Sequence, residues 1–221
     1  MIVTLIQTRM GSKRLPGKCL KEINGVSLTE YVILSSLKSE CVDYTGIIYP
    51  KKDENSFREK FKNHDIFLFG GDENNVLKRY YDAVKELEKN KNVSHVVRLT
   101  ADCPLLFFYP QIIDTVIQKH LYSNNDYTSN LGEYPSGVDV EVLTRKTLEK
   151  VYKKAKDLRD LEHVTRYIRE NKKEFKTGVI KRNSLLQEFN QKWSIDSIED
   201  FNKVSDLINF INLKIINFVN S

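Results

Sequence analysis

The sequence predicts an α/β fold in which helices cover both faces of a mostly parallel central sheet, giving a three-layer sandwich. Three observations support this prediction. Apolar runs of strand length alternate with helical patterns through the first half of the chain, turn residues such as Gly70 and Gly71 close the runs, and polar loops follow them. Because ligands of such sheets bind at the carboxyl ends of the strands, the loops after the strands are the first candidates for a functional site.

Length and composition fit one compact body with an insertion. The 221 residues are enough for a full core, and 40% hydrophobic with 29% charged residues is ordinary for a globular protein. The net charge of +5 is mild and the lysines are dispersed, which favours a solvated surface over a nucleic-acid interface. Three cysteines without metal-ligand spacing, no signal peptide and no long apolar run predict a reduced, cytoplasmic location and no membrane contact.

The first half of the chain has the clearest strand and helix signals. Ser27 and Glu30 form a capping-box pattern before one helix, and the helix that begins near Asn75 places its apolar residues on one face. The predicted strands are residues 2–6, 45–49, 66–69 and 93–99, and the predicted helices are residues 28–39, 54–62 and 75–89. The apolar run at 66–69 predicts a buried strand. This alternation is typical of parallel strands joined by crossover helices.

From Asp126 onwards the pattern changes. The predicted strands of the second half are residues 126–130, 138–143, 175–180 and 192–195, and the predicted helices are residues 144–156, 161–171 and about 199 to 219. Ser197 and Asp200 give the last helix the start signal of a serine followed three residues later by an acid. No repeat and no Pro/Gly/Ser-rich linker divides the chain into independent domains.

The loop at residues 7–18 follows the first strand and is rich in cations and glycine. Arginine forks and lysine ammonium groups neutralise phosphate, and glycines let the backbone approach it closely. A loop of this composition at the carboxyl end of a strand predicts a nucleotide site, although no Gly-Lys-Ser/Thr sequence closes it as in a Walker loop. The residues that give the loop this character are Arg9, Gly11, Lys13, Arg14, Gly17 and Lys18.

Two acids are placed to complement this loop. Asp102 follows the predicted strand 93–99, and Asp196 follows the predicted strand 192–195, so both should lie at the same edge of the sheet. Hard carboxylate oxygens suit magnesium, which would take the rest of its shell from waters and phosphates. The alternative is that Asp102 caps the turn before Pro104 and Asp196 caps the last helix. The cationic loop beside them favours the metal.

Four further side chains have two interpretations each. Asp139 and Glu141 alternate with valines and therefore point to one face of a strand, where they either bind a substrate or lie in solvent. Glu162 and His163 sit near a helix start, where they either cap and pack the helix or contact an acceptor or a partner subunit. The residues alone leave these alternatives open.

Six ordered blocks resemble the cytidylyltransferase family that includes CMP-Kdo and CMP-sialic acid synthetases, and most closely its spore coat polysaccharide branch. The first block, Gln-Thr-Arg-Met-Gly-Ser-Lys-Arg-Leu-Pro-Gly-Lys, is the cationic loop itself. The six blocks are residues 7–18, 71–79, 97–105, 129–130 with 134–142, 162–165 and 193–200. A single block of this kind is weakly specific, whereas six in order along most of the chain are strongly specific.

The resemblance implies a Rossmann-like nucleotide-diphospho-sugar transferase fold and a magnesium-dependent reaction. In that reaction a hydroxyl of an acidic sugar attacks the α-phosphorus of CTP and pyrophosphate leaves. The implied catalytic residues are Arg9, Lys18 and Asp102, and the implied metal ligands are Asp102 and Asp196. The implied nucleotide contacts are Thr8, Arg9, Gly11, Ser12, Arg14, Lys18, Arg79 and Thr100. The implied acceptor contacts are Asn130, Gly137, Asp139, Glu141, Glu162 and His163.

The resemblance also implies one cytidylyltransferase domain over residues 1–221, with an inserted substrate and dimerisation segment at about 126–176, and a homodimer. Its expected partners are CTP and a small acidic sugar, with no nucleic acid and no membrane. Other functions stay open at this point. The enzyme could use another nucleoside triphosphate or a phosphorylated small acid, the chain could be a non-catalytic sensor, or it could be a basic nucleic-acid-binding protein.

Overall fold

The computed structural model describes residues 1–181 and 192–219. Its strands are β1 (Ile2–Gln7), β2 (Glu22–Ile23), β3 (Val26–Ser27), β4 (Tyr44–Pro50), β5 (Phe67–Gly71), β6 (His95–Thr100), β7 (Tyr127–Ser129), β8 (Glu141–Thr144) and β9 (Thr177–Val179). Its α-helices are α1 (Leu28–Leu37), α2 (Glu54–Phe61), α3 (Val76–Leu87), α4 (Gln111–Tyr122), α5 (Arg145–Lys154), α6 (Leu158–His163), α7 (Arg166–Glu170) and α8 (Ile198–Val219).

The main sheet has the strand order β5-β4-β1-β6-β8-β7-β9. β1 pairs in parallel with β4 and β6, β4 with β5, and β7 with β9, whereas β8 runs antiparallel to both of its neighbours, β6 and β7. Six of its seven strands therefore run in one direction, and the prediction of a mostly parallel sheet is confirmed. The segment that follows Asp126 supplies β7 and β8, which extend the same sheet. Strands β2 and β3 form a separate hairpin.

Helices cover both faces of the sheet because the strands are apolar on both sides. Val3 of β1 belongs to one core with Tyr80 of α3 and Leu148 of α5, and Ile6 of β1 belongs to the other core with Val32 of α1. Side chains of successive strand residues point to opposite faces, so an apolar strand needs a cover on each. Helices α1, α2, α4 and α8 contribute to one core and α3, α5 and α7 to the other. The three-layer prediction is confirmed.

Several predicted elements agree closely with the structure. The Ser27 hydroxyl accepts from the Glu30 amide at 3.3 Å and the Glu30 carboxylate accepts from the Ser27 amide at 3.4 Å, so the predicted capping box is formed. The side chain of Asn75 caps α3 by accepting from the amide of Lys78 at 2.8 Å. These local hydrogen bonds satisfy amides that have no partner inside the helix.

Other predictions need correction. The predicted helix 161–171 is two helices, α6 and α7, because Val164 between them has a positive φ of 41° that no helix accommodates. Residues 192–195 are not a strand, since the amides of Trp193 and Ser194 both donate to one carbonyl, that of Ser136. The strand predicted at 138–143 starts only at Glu141. Strand β5 is a half-buried edge strand, because β4 is its one neighbour in the sheet.

Helix α4 and the β2–β3 hairpin are not among the elements predicted from the sequence. Helix α4 has no polar N-cap signal and begins after Pro110, although its Ile113, Val116 and Ile117 have helical spacing and are buried. The hairpin turns at Asn24 and Gly25, which both have positive φ. Among the described helices, none has the length and apolarity that a membrane span needs.

Candidate active site

A cavity of about 240 Å³ opens at the carboxyl ends of β1 and β6. Its walls come from the loop after β1, the residues that follow β6, the first turns of α3, the end of α6 and the residues just before α8. Eleven residues proposed from the sequence line it: Thr8, Arg9, Ser12, Arg14, Lys18, Arg79, Thr100, Asp102, Glu162, His163 and Asp196. The fold thus gathers residues from five separate parts of the chain at one edge of the sheet, as expected for a parallel sheet.

The cationic loop is held in place by its own backbone. The Met10 amide donates to the Asp53 carboxylate at 3.0 Å, and the Met10 carbonyl accepts from the Gly17 amide at 3.0 Å. Gly17 has a φ of 66°, which favours glycine. Leu15 anchors the middle of the loop in the core, while Arg14 stays exposed. The loop is therefore a fixed frame that presents exposed cationic side chains to the cavity.

Lys18 joins the two acids of the site. Its ammonium nitrogen lies 2.9 Å from Asp102 Oδ2, 3.2 Å from Asp196 Oδ1 and 2.5 Å from the carbonyl oxygen of Ile195. The two carboxylates therefore approach closely enough for one cation to contact both. Oxygen donors of this kind suit magnesium. Among the described residues no third His, Cys, Asp or Glu joins them, so a metal held here would have two protein ligands and complete its shell with water and phosphate.

Asp196 is surrounded by cations. Besides Lys18, it pairs with Arg14 at 3.1 Å and with Lys192 at 3.1 Å. Burial raises the pKa of Asp196, but the hydrogen bonds and charges of Lys192 and Lys18 outweigh burial and bring the pKa below its ordinary value. Asp196 is therefore ionised at neutral pH and ready to bind a cation.

Backbone contacts hold the two acids together. The Ile195 amide donates to the Asp102 carbonyl at 3.0 Å, and the Ser136 carbonyl accepts from Trp193 at 2.6 Å and Ser194 at 2.9 Å. Gly137, with a φ of 114°, lies directly under this segment, where a β-carbon would come within 2.3 Å of the Trp193 carbonyl carbon. A side chain at Gly137 would therefore push away the segment that carries Asp196.

Arg79 places a buried positive charge beside the cavity. The residue is 2% exposed, and its guanidinium donates to the carbonyls of Asp72, at 2.6 and 2.9 Å, and Glu73, at 3.0 Å. No carboxylate pairs with it among the residues that the structure describes, and burial lowers its pKa to about 10. Gly71 makes room for it, because a β-carbon there would meet Arg79 Cγ at 2.8 Å. A buried cation balanced only by carbonyl dipoles favours an anionic ligand.

Glu162 and His163 lie at the end of α6 and line the same cavity as Lys18 and the two acids. Both are exposed, and Glu162 Oε1 is 3.9 Å from an Arg9 guanidinium nitrogen, so the two sides of the cavity meet there. Asp157 caps the start of α6, and neither Glu162 nor His163 does so. The capping alternative for these two residues is therefore wrong.

Four residues proposed as acceptor contacts do not line the cavity. Asn130 is buried, and its side chain donates to the Val138 carbonyl and accepts from the Val140 amide, each at 2.8 Å. Asp139 accepts from the Gly137 amide at 3.2 Å. Glu141 is 1% exposed and pairs with Arg98, so the alternative of a solvated face is wrong for Glu141. Together with Gly137 these residues form a layer behind the site.

Gly11, a proposed nucleotide contact, is likewise outside the lining of the cavity. A β-carbon there would meet nothing within 4 Å, so its backbone is accessible.

Two residues of the site, Asp53 and Lys192, are not among those predicted from the sequence. Asp53 fixes the cationic loop, and its signal was an acid just after a strand that ends at the same edge of the sheet as β1. Lys192 flanks Asp196, and its signal was a cation four residues before a proposed metal ligand.

Comparisons with known proteins identify relatives of this chain in sequence and in fold. A family model described as cytidylyltransferase matches residues 3–215. The uncharacterized protein MJ1063 of Methanocaldococcus jannaschii is 33% identical over 99% of this chain and 90% of its own length. The spore coat polysaccharide biosynthesis protein SpsF of Bacillus subtilis is 30% identical over 93% of this chain and 85% of its own. A cytidylyltransferase structure from Leptospira borgpetersenii is 25% identical, with a TM-score of 0.82, over 95% of this chain and 87% of its own.

Proposed function

The chain belongs to the cytidylyltransferase family, and on that premise we propose that it transfers CMP from CTP to a hydroxyl of an acidic sugar of the nonulosonic or ulosonic type. Pyrophosphate leaves. The observation that carries the proposal is the convergence, in one cavity, of the cationic loop, the buried Arg79 and the two acids held by Lys18. A triphosphate with a bound divalent cation needs cationic side chains for its phosphate oxygens and acidic side chains for its metal.

The cations of the loop have the role of binding the triphosphate. Arg9 and Arg14 are exposed side chains on a fixed loop, so they can close onto phosphate oxygens without moving the backbone. Ser12 supplies a hydroxyl donor beside them, Thr8 lines the cavity with its hydroxyl donating to Thr29, and the accessible Gly11 backbone supplies an amide. Thr100 lies at the end of β6 on the floor of the cavity. Neutralising the leaving pyrophosphate is the main chemical task of such a site.

The two acids have the role of holding magnesium. Magnesium bound to Asp102 and Asp196 would offset the negative charge that develops on the phosphates. Arg79 is close enough to the cavity to add a fixed positive charge on the nucleotide side. Lys18 bridges both acids, so it has to move when CTP and magnesium bind.

Glu162 and His163 are proposed to contact the acceptor. They line the same cavity as Asp102, and no core residue needs them for packing because both are exposed. Asn130, Gly137, Asp139 and Glu141 do not line the cavity, so we propose that they affect the acceptor only through the residues they hold in place. The use of the product in making a surface polysaccharide or glycan is part of the proposal, and it is supported by the relative SpsF, a protein of spore coat polysaccharide biosynthesis.

The test measures pyrophosphate release with magnesium, CTP and a panel of nonulosonic acids, ulosonic acids and phosphorylated small acids. We expect release only when CTP, magnesium and one acidic sugar are all present. Release with UTP, GTP or ATP instead of CTP would show a nucleotidyltransferase that uses another nucleotide. Release with a phosphorylated acid alone would show one that uses another acceptor. If the whole panel gives no release while CTP binds, the chain is a nucleotide-binding relative without this activity.

We also propose a homodimer formed through the inserted segment at about 126–176 of a single catalytic domain. Support comes from Leu158 of α6, which is 81% exposed, and from strand β9, which follows the segment directly, lies at one end of the strand order among the described residues and carries the exposed Val179. Apolar side chains and unpaired strand edges at a surface favour association. Light scattering of the full chain should give twice the monomer mass, and Leu158→Glu should shift it to the monomer.

A further inference from the structure

A buried hydrogen bond between Glu141 and Thr165 connects the sheet to the wall of the cavity. Glu141 Oε1 accepts from the Thr165 hydroxyl at 2.5 Å and from the Tyr127 hydroxyl at 2.5 Å, while Oε2 pairs with Arg98. Glu141 and Thr165 are each 1% exposed. A buried carboxylate with donors from β6, β7 and the segment between α6 and α7 is held in one orientation.

Glu141 is ionised in this network. Burial raises its pKa, but the charge of Arg98 and the hydroxyls of Thr165 and Tyr127 outweigh burial and bring the pKa below its ordinary value. A hydrogen bond to a buried ionised carboxylate is stronger than one between neutral groups. The bond from Thr165 is therefore a firm anchor for the segment that contains it.

The residue before Thr165 has a strained backbone. Val164 has φ 41° and ψ −58°, and the Thr165 amide donates across it to the His163 carbonyl, which closes a three-residue turn. A β-branched residue avoids this conformation, which is strained and persists only where the surroundings enforce it. Here Val164 is buried in the core and Thr165 is fixed to Glu141, so both sides of the turn are held.

The turn decides where α6 ends and which way its last residues face. Glu162 and His163 immediately precede Val164, line the cavity and are otherwise exposed to solvent. We propose that Glu141, acting through Thr165, is a positioning residue that holds Glu162 and His163 at the acceptor side of the cavity. That Glu162 and His163 face the acceptor rests on the proposed function. Glu141 has its effect without touching a substrate.

Thr165→Val tests this role, because valine keeps the shape of threonine and removes only the hydroxyl. Tyr127→Phe is the matched control: it removes the other hydroxyl from the same Glu141 oxygen, at the same distance, but belongs to β7 and not to the α6–α7 segment. Thr165→Ser restores a hydroxyl. Thr165→Val and Tyr127→Phe each remove one hydrogen-bond donor from the buried Glu141 carboxylate. If Glu141 only stabilises the fold, the two variants should therefore have equal effects.

Two measurements separate the variants. The chain has four histidines, so the C2 proton of His163 can be followed by NMR after assignment with His163→Gln. We expect Thr165→Val to shift or broaden this resonance and Thr165→Ser to restore it, while Tyr127→Phe leaves it in place. In turnover assays we expect Thr165→Val to raise the acceptor KM about tenfold, with the CTP KM changed less, since loss of one charged hydrogen bond has this magnitude.

Equal changes in Thr165→Val and Tyr127→Phe, in either measurement, would overturn the positioning role and leave Glu141 a fold-stabilising residue. The same holds if Thr165→Val leaves His163 unmoved. If the wild-type protein turns over no acceptor, the proposed function fails, yet the NMR comparison still decides whether Glu141 positions the wall of the cavity.

Discussion

Lys18 and Asp102 form an ion pair of 2.9 Å in which the lysine stands where a metal ion would contact the acids. The same ammonium donates to Asp196 and to the Ile195 carbonyl. An ammonium has three N–H donors, and all three are used here. Lys18 therefore has no donor left for a phosphate until one of these bonds breaks, which makes lysine and divalent cation competitors for Asp102 and Asp196.

The first prediction follows from that competition. Lys18→Met should tighten binding of Mn²⁺ to the nucleotide-free protein about tenfold, because the acids lose a neighbouring positive charge within 3.2 Å. The same variant should weaken CTP binding at least about tenfold, because a cation is lost from the phosphate loop. Titration of Mn²⁺ by electron paramagnetic resonance, with and without CTP, measures both effects.

Lys13→Met is the control for that experiment. Lys13 lies in the same loop, is exposed, and has no ion pair among the described residues. It removes the same net charge from a solvated position, where screening reduces the effect on the acids, so Mn²⁺ affinity should change by less than about twofold. If Lys18→Met and Lys13→Met behave alike, Lys18 does not compete with the metal.

The second prediction concerns Asp102. Asp102→Asn keeps the size of the side chain and removes the charge that holds Lys18 and would hold a cation, so turnover should fall at least about 100-fold with little change in melting temperature. Asp65→Asn, at an exposed position away from the cavity, should match the wild-type protein. Steady-state pyrophosphate release and thermal unfolding measure the two quantities. Unchanged turnover in Asp102→Asn would remove Asp102 from the metal site.

The sequence predicted the first half of the fold and the charged residues of the site because both have local signals. Apolar runs mark β1, β4 and β6, and a capping box marks α1. Cations and acids that follow parallel strands meet at one edge of the sheet whatever the details of the packing. These signals are enough to bring Lys18 and Asp102 together from the sequence, whereas the sequence places Asp196 beside them through a strand at 192–195 that the structure does not contain.

The rest depends on contacts between distant parts of the chain. Its alternation with valines predicts that Glu141 faces either a substrate or solvent, yet Arg98, 43 positions away, turns it into a buried ion pair. The strained turn at Val164 has no local signal, because valine rarely adopts a positive φ and only the surrounding core enforces it. The segment before Asp196 has the composition of a strand but bonds to the Ser136 carbonyl. Tertiary contacts override local preference in each case.

The third prediction concerns Gly137. Gly137→Ala forces a β-carbon to within 2.3 Å of the Trp193 carbonyl carbon and strains a φ of 114°, so it should displace Asp196 and weaken binding of CTP with Mn²⁺ at least about tenfold.

Gly132→Ala is the control, since Gly132 also has a positive φ, of 78°, but a β-carbon there meets nothing within 4 Å. It should cost about 1–2 kcal/mol of stability and leave binding unchanged. Calorimetry measures binding and urea unfolding measures stability; equal binding by the two variants would contradict the steric role of Gly137.

The last prediction concerns pH. Burial raises the pKa of Asp139 from its ordinary value of 3.8 to about 6, and the hydrogen bond from Gly137 only partly opposes this. Between about pH 4 and pH 6 the native state therefore binds more protons than the unfolded state at this group, so its contribution to stability falls as pH rises and is fully unfavourable above pH 6.

Asp139→Asn keeps an oxygen for the Gly137 amide and removes the charge. Relative to wild type it should be equally stable near pH 4 and more stable by about 1–3 kcal/mol at pH 7. Urea unfolding at pH 4, 5, 6 and 7 gives the difference directly. The exposed Glu133→Gln should follow the wild-type curve, and an Asp139→Asn curve parallel to wild type would show that Asp139 is ionised without cost in the folded protein.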